Sequence, residues 1–290
     1  MASRIINNNR NKNLLENFSK SHYLPVNNTC VDLVPFGLNL PSTIGYPKFT
    51  SLVRNMVQIP SNKYSIFIGI LLSDGWLQIN KSGNTRFALK QSLDHFEYFY
   101  SVFTQLSHYC SAPPKLTKTK LNSKTFYGIS FTTRTYASFT ELYNMFYQNG
   151  VKIVPKNLST HANIVRVGQY NLLTYEVLAH WIMGTHANKV RVGRGDGSNK
   201  SNGMYLNTQC FKIEEVVFII NVFILKYDLR CSIHMQRGKP TIYISVKSIN
   251  QIYPKLLQFI TPDMRYKFGD RSLLINNSDV ANSRKILIKK

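Results

Sequence analysis

The feature that most limits what this chain can become is the stretch Ile68-Gly69-Ile70-Leu71-Leu72-Ser73-Asp74-Gly75. It reads as an apolar helix that ends in one carboxylate followed at once by a glycine. A helix that is apolar all round is buried on nearly every side. Asp74, in its last turn, is therefore carried to the edge of a packed surface. An acidic group is disfavoured at the negative end of a helix dipole, so an Asp there asks for a compensating cation. Gly75 can take the left-handed conformation that stops a helix. Taken alone, the segment reads more readily as a core helix with an ordinary polar end. A second copy further along changes that balance.

After Tyr64–Ser73, the strands Trp76–Lys81 and Arg86–Ser92 alternate with period two around the turn Ser82-Gly83-Asn84. Asp94 is placed to N-cap an aromatic helix reaching about Tyr109. A second hairpin, Lys115–Lys120 and Thr125–Thr132, and a helix Ala137–Tyr147 complete the unit. The order then recurs: helix Leu172–Met183, strand Met204–Cys210, helix Ile213–Tyr227, a hairpin Arg230–Gln236 and Thr241–Val246, and helix Ile249–Phe259. The spacing of about 110 residues marks an internal duplication.

The strands carry long polar side chains every second residue. Gln78, Asn80, Arg86 and Lys90 line the first hairpin, with Lys118 and Lys120 near the turn of the second. In the second half the corresponding groups are Asn207 and Gln209, then Ser232, His234 and Gln236, with Arg237 and Lys239 at the turn. Such side chains can reach base edges in a major groove, although for any one strand alone a solvated sheet face is the commoner explanation. Composition decides between them: Lys plus Arg is 36 against 14 for Asp plus Glu, a formal charge of +22. That excess suits a polyanion. At 43% hydrophobic the chain can bury a sizeable core. No apolar run approaches the roughly 20 residues that span a bilayer, so a membrane partner is not expected. The four cysteines form no C-x-x-C pair, and no His spacing of the H-E-x-x-H kind occurs. The bias toward Asn, Ile, Lys, Tyr and Phe is a compositional hint of an AT-rich, organellar gene.

Ile68–Gly75, the second apolar helix Leu178-Ala179-His180-Trp181-Ile182-Met183, and Tyr205-Leu206-Asn207-Thr208-Gln209-Cys210-Phe211 together resemble the LAGLIDADG homing endonucleases. The likeness is to the single-chain, pseudo-symmetric members of fungal mitochondrial introns. The resemblance covers roughly residues 60 to 270. It implies an α+β fold of two pseudo-symmetric αββαββα halves, with antiparallel sheets forming a DNA-binding saddle. It also implies two helices packed side by side, each delivering one Asp to shared divalent metals. Mg²⁺ or another divalent cation is the implied cofactor, and Asp74 fits the first metal position. Lys152 and Lys267 match the family's basic residues that orient water and stabilise charge, although isolated lysines in so basic a chain are commonly phosphate contacts.

The second motif departs from the pattern. Where Asp-Gly is expected after Trp181-Ile182-Met183-Gly184, this chain has Thr185-His186. A repeat offers an explanation. Thr160–Gly168 recurs as Thr185–Gly193 with eight of nine positions identical. Removing residues 159–169 and residues 184–194 restores family-like sequence at both places, the second as Gly195-Asp196-Gly197. Asp196 is then a displaced second metal carboxylate and catalytic acid. Eleven helical residues add roughly 16 Å, so Asp196 rejoins Asp74 only if the insert loops out. The alternative, a plain loop Asp, stays equally open.

The expected division is an irregular basic arm (1–60), a first half (61–158), one inserted element (159–169), a second half (170–270) holding the other element (184–194), and a basic tail (271–290). The expected function is site-specific, Mg²⁺-dependent cleavage of a long double-stranded DNA site by a mitochondrial, monomeric protein. The alternative is a cleavage-inactive intron maturase that binds group I intron RNA. A transport or membrane-associated protein is disfavoured by the missing spans.

Overall fold

A computed structural model of the protein describes residues 42–121, 124–156, 172–185, 188–189 and 203–268. The chain divides into two compact units, Met1–Tyr147 and Gln148–Lys290. In the first, a short helix α1 (Ser51–Met56) precedes α2 (Ser61–Leu72), β1 (Trp76–Ile79), β2 (Thr85–Ser92), α3 (Phe96–Leu106), β3 (Lys115–Leu121), β4 (Lys124–Thr132) and α4 (Ala137–Phe146). Two short strands, β5 (Tyr147–Gln148) and β6 (Val151–Lys152), flank a turn at Asn149 and Gly150. The second unit repeats the order with α5 (Tyr175–Gly184), β7 (Asn188–Lys189), β8 (Met204–Leu206), α6 (Ile213–Tyr227), β9 (Cys231–Gln236), β10 (Lys239–Ile244) and α7 (Val246–Leu256). Each unit is αββαββα, an α+β arrangement. Its sheet runs β1-β2-β4-β3 in the first and β7-β8-β10-β9 in the second, with antiparallel neighbours. Among the described residues no helix is long and apolar enough to cross a membrane.

α2 is the apolar helix that leads to Asp74. Pro60 precedes its first residue, where a missing N–H costs nothing. Ile66, Phe67, Ile68, Ile70, Leu71 and Leu72 are all fully buried, as an apolar helix requires. Phe67 packs edge-on against Phe87 and Phe139, with centroids 4.9 and 5.1 Å away. The helix ends at Leu72, two residues short of Asp74. Ser73 caps it: its hydroxyl donates to the carbonyls of Gly69 or Ile70, and the N–H groups of Ser73 and Gly75 both donate to Ile70 O.

Gly75 does this without a left-handed conformation, contrary to the expectation. It must be glycine for a different reason. A Cβ there would lie 2.5 Å from Ile70 Cγ2 and 3.2 Å from the Phe87 ring, so the chain turns flush against its own helix.

Among the boundaries that differ from the sequence expectation, three have a clear side-chain cause. Ser92, not Asp94, is the cap ahead of α3: its Oγ accepts from Asp94 N, and a 3₁₀ turn, Leu93–His95, intervenes. β8 stops at Leu206 because Asn207 Oδ1 accepts from Gln209 N and curls the chain. α7 starts at Val246, earlier than expected, because Ser245 Oγ accepts from Ser248 N.

The described part of the N-terminal arm lies over the first unit. Arg134 holds it, donating to the carbonyls of Pro47 (3.2 Å), Thr43 (3.0 Å) and Tyr46 (2.9 Å) while its guanidinium sits 4.5 Å over the Phe49 ring.

Two buried histidines set a pH dependence. Burial pulls the His180 imidazole, in α5, from its ordinary 6.5 down to about 4. Burial, and secondarily the charge of Lys63, does the same to His108. The unfolded chain therefore binds these protons more readily than the folded one. Stability is complete above the ordinary value and is lost as pH falls from about 6.5 toward 4, by about 2 kcal/mol per histidine at pH 5. Thermal unfolding at pH 7 and pH 5 is expected to show a smaller acid loss for His180→Phe than for the parent; equal losses contradict the assignment.

Candidate functional site

Asp74 follows the C-cap of α2 directly and is exposed, so the buried helix delivers its carboxylate to the surface of the first unit. Its Oδ2 accepts a hydrogen bond from Gln91 Nε2 at 3.0 Å. Gln91 is only 5% exposed and lies on β2, on the same side as Phe87 and Leu89. Its Oε1 is 3.4 Å from His95 Nδ1. A polar amide on the core face of a strand thus fixes the orientation of the acid. Sequence reasoning missed Gln91, although a Gln in phase with Phe87 and Leu89 was a readable signal.

The second unit matches the first at the helix cap and at the opening of the next strand. Thr185 caps α5, donating through its hydroxyl to Ile182 O (3.2 Å), as Ser73 does to Ile70 O (3.1 Å). Three residues beyond Ser73, Trp76 opens β1 and pairs with Ala88; three beyond Thr185, Asn188 opens β7 and pairs with Tyr205. By this count His186 holds the chain position that Asp74 holds in the first unit. β7 also falls within residues 184–194, so the proposed inserted element supplies a strand of the second sheet, which the sequence reading did not foresee. His186 itself, Asp196 and the first repeat copy at 159–169 lie outside the described residues.

Lys267 is 2% exposed and its ammonium closes the end of α5. Nζ donates to Met183 O and Thr185 O, both at 2.5 Å, and to Ile182 O at 3.3 Å. An ammonium has three protons, and three carbonyls at the negative end of a helix dipole are natural acceptors. This geometry makes Lys267 a helix cap. Lys152, on β6, precedes Val154, whose N–H donates to Glu215 Oε1 (2.8 Å) in the first turn of α6.

The sheet faces sort the remaining candidates. Cross-strand register puts Gln78, Arg86 and Lys90 on one face of the first sheet, with Trp76, Thr119 and Phe126. Lys118 and Lys120, expected near the hairpin turn, pair with Tyr127 and Thr125 and fall on the reverse face. Their parity along β3 is the physical reason, since neighbours in a strand point to opposite sides. Asn80 turns inward on its own loop, its Oδ1 accepting from the N–H groups of Ser82 (3.0 Å) and Asn84 (2.9 Å).

In the second sheet Ser232, His234, Gln236 and Lys239 share one face. Arg237 takes φ 52° and Gly238 φ 75° at the two-residue hairpin turn. Asn207 and Gln209 leave the sheet for the turn after β8, a correction to the strand expected to run to Cys210 with both on its polar face. The face also carries Tyr205 and Tyr243, which no sequence argument singled out. Their rings flank His234 at 5.2 and 5.3 Å, and His234 is bonded through Nδ1 to Tyr205 Oη (3.0 Å) and through Nε2 to Ser232 Oγ (3.1 Å). Among the described residues no group of three or more His, Cys, Asp or Glu is gathered as a metal cluster.

Known proteins agree with this architecture. A sequence profile of the LAGLIDADG DNA endonuclease family matches residues 64–252. The "Probable intron-encoded endonuclease 1" of Wickerhamomyces canadensis is 30% identical over 206 residues, covering 69% of this chain and 80% of that protein. The "Cytochrome b mRNA maturase bI2" of Saccharomyces cerevisiae is 26% identical over 261 residues, and the match spans 77% of this chain but only 56% of that protein. Among solved structures, the homing endonuclease I-WcaI bound to its DNA recognition sequence superposes with a TM-score of 0.63 at 25% identity, covering 73% of this chain and 88% of that one. The match of the family profile across both α2 and α5 settles the affiliation: this chain belongs to the LAGLIDADG DNA endonuclease family.

Proposed function

We propose that this protein is a monomeric, site-specific endonuclease encoded by an organellar intron, with the mitochondrion as its location. It binds a long DNA duplex through the polar faces of its sheets and hydrolyses phosphodiesters with Mg²⁺ held through Asp74. The observation that carries the reading is the Asp74 carboxylate, exposed at the end of a buried helix and oriented by the Gln91 amide. The same unit presents Gln78, Arg86 and Lys90 on one sheet face, and the formal charge of +22 favours a polyanion.

Mg²⁺ suits this donor set. It takes hard oxygen ligands, keeps several waters, and needs only one or two carboxylates beside substrate phosphates. Asp74 would hold it, with Asp196 proposed as the second carboxylate. When bound, the ion activates water and stabilises the leaving oxygen of an in-line displacement. Gln91 keeps the Asp74 carboxylate aimed, and Lys152 is proposed to meet backbone phosphate. Lys267 contributes by fixing the end of α5.

A maturase reading has its own support. The chain position matching Asp74 in the second unit is His186, and one relative is named a maturase. Such a protein would bind group I intron RNA without cleaving DNA. The deciding experiment incubates the protein and Mg²⁺ with a duplex carrying the uninterrupted host-gene sequence. One double-strand break is the expected result. No product, with intron RNA bound, overturns cleavage in favour of the maturase.

A further inference from the structure

We infer that Arg86, held by Gln78, reads a guanine in the major groove of the bound duplex and so fixes one base pair of the recognition site. This inference rests on the duplex-binding reading above and names the base it recognises. Gln78 on β1 and Arg86 on β2 stand directly opposite each other. Gln78 Oε1 accepts from both Arg86 Nε (3.1 Å) and Nη2 (2.7 Å). Those bonds occupy the side edge of the guanidinium. The end edge, formed by Nη1 and the remaining Nη2 proton, is left pointing away as a pair of parallel donors.

The other polar groups on this face have different geometry. Asn80 Oδ1 is engaged with the loop N–H groups of Ser82 and Asn84. Lys90 Nζ, 3.4 Å from Thr119 Oγ1, is a point charge suited to phosphate. Arg86 is thus the residue on the face whose donors are both directional and already oriented. In the major groove guanine offers two adjacent acceptors, N7 and O6, that match a donor pair. Adenine places an amino donor where O6 would be, and the pyrimidines lack the pair. Holding the fork in place before binding lowers the ordering entropy lost on contact.

The test is selection of bound sites from a duplex library randomised across the binding site, using the full chain. The parent is expected to return a profile with one strongly preferred guanine that depends on this pair. Arg86→Lys keeps the charge but loses the fork. It is expected to flatten that position by on the order of ten-fold, while preferences elsewhere persist and report an intact fold. Gln78→Leu is expected to weaken the same position partially. A parent profile with no consensus overturns duplex recognition and this inference together. A clear consensus that Arg86→Lys leaves unchanged, or whose flattened position is not a G·C pair, overturns the inference alone.

Discussion

Asp74→Asn is expected to lower Mg²⁺-dependent duplex cleavage on the order of 10²–10³-fold, the size typical of removing one group that stabilises transition-state charge. The substitution keeps the shape of the side chain and removes the charge proposed to hold the cation. Because Asp74 is exposed and lies beyond the cap of α2, the fold should be unaffected. Gln91→Leu is the companion change. Gln91 donates to Asp74 Oδ2 across 3.0 Å, and loss of such an outer partner costs about 10–100-fold in metal affinity or activity. Its signature is a raised Mg²⁺ requirement that excess Mg²⁺ partly restores, which simple destabilisation would not give. Asp196→Asn belongs in the same series. A loss equal to that of Asp74→Asn supports Asp196 as the second carboxylate, and parental activity removes it. Parental activity in Asp74→Asn contradicts the proposed site altogether.

Lys267→Met is expected to destabilise the second unit by about 2–4 kcal/mol, because it strands buried carbonyls that the ammonium now satisfies. A change of that size lowers the melting temperature by roughly 6–12 °C. The three acceptors, Ile182 O, Met183 O and Thr185 O, all sit at the end of α5. The variant should therefore expose α5 amides to hydrogen exchange before those of the first unit. Lys267→Met that melts with the parent, and loses only cleavage, would contradict the capping role and return Lys267 to direct chemistry.

What was legible in the sequence was whatever periodicity and repetition encode. The apolar α2 and α5, the alternating strands and their recurrence gave the first unit and all of the second except β7, while the full αββαββα form came from the family resemblance. Ser232, His234 and Gln236 were found because alternate residues on β9 share a face. The same rule, applied across the β3–β4 hairpin, would have separated Lys118 and Lys120 from Arg86. Side-chain capture of backbone was less visible. Asn80 and Asn207 looked like groove-reading groups, yet both are used on their own turns. Gly75 looked like a left-handed cap and is instead a close approach to Ile70. Lys267 and Gln91 act on residues far away in sequence, so no local pattern announced their partners.

Duplex binding by this protein is open to direct measurement. Affinity for a labelled duplex of the uninterrupted host-gene sequence should be measured between 50 and 200 mM salt, beside intron RNA at each point. For roughly 6–10 phosphate contacts, affinity for the duplex is predicted to fall by about 10³–10⁵-fold over that range, linearly in log–log form. The duplex is also predicted to be bound more tightly than the RNA throughout. Duplex affinity that is flat with salt, or intron RNA bound in preference at every concentration, would contradict it.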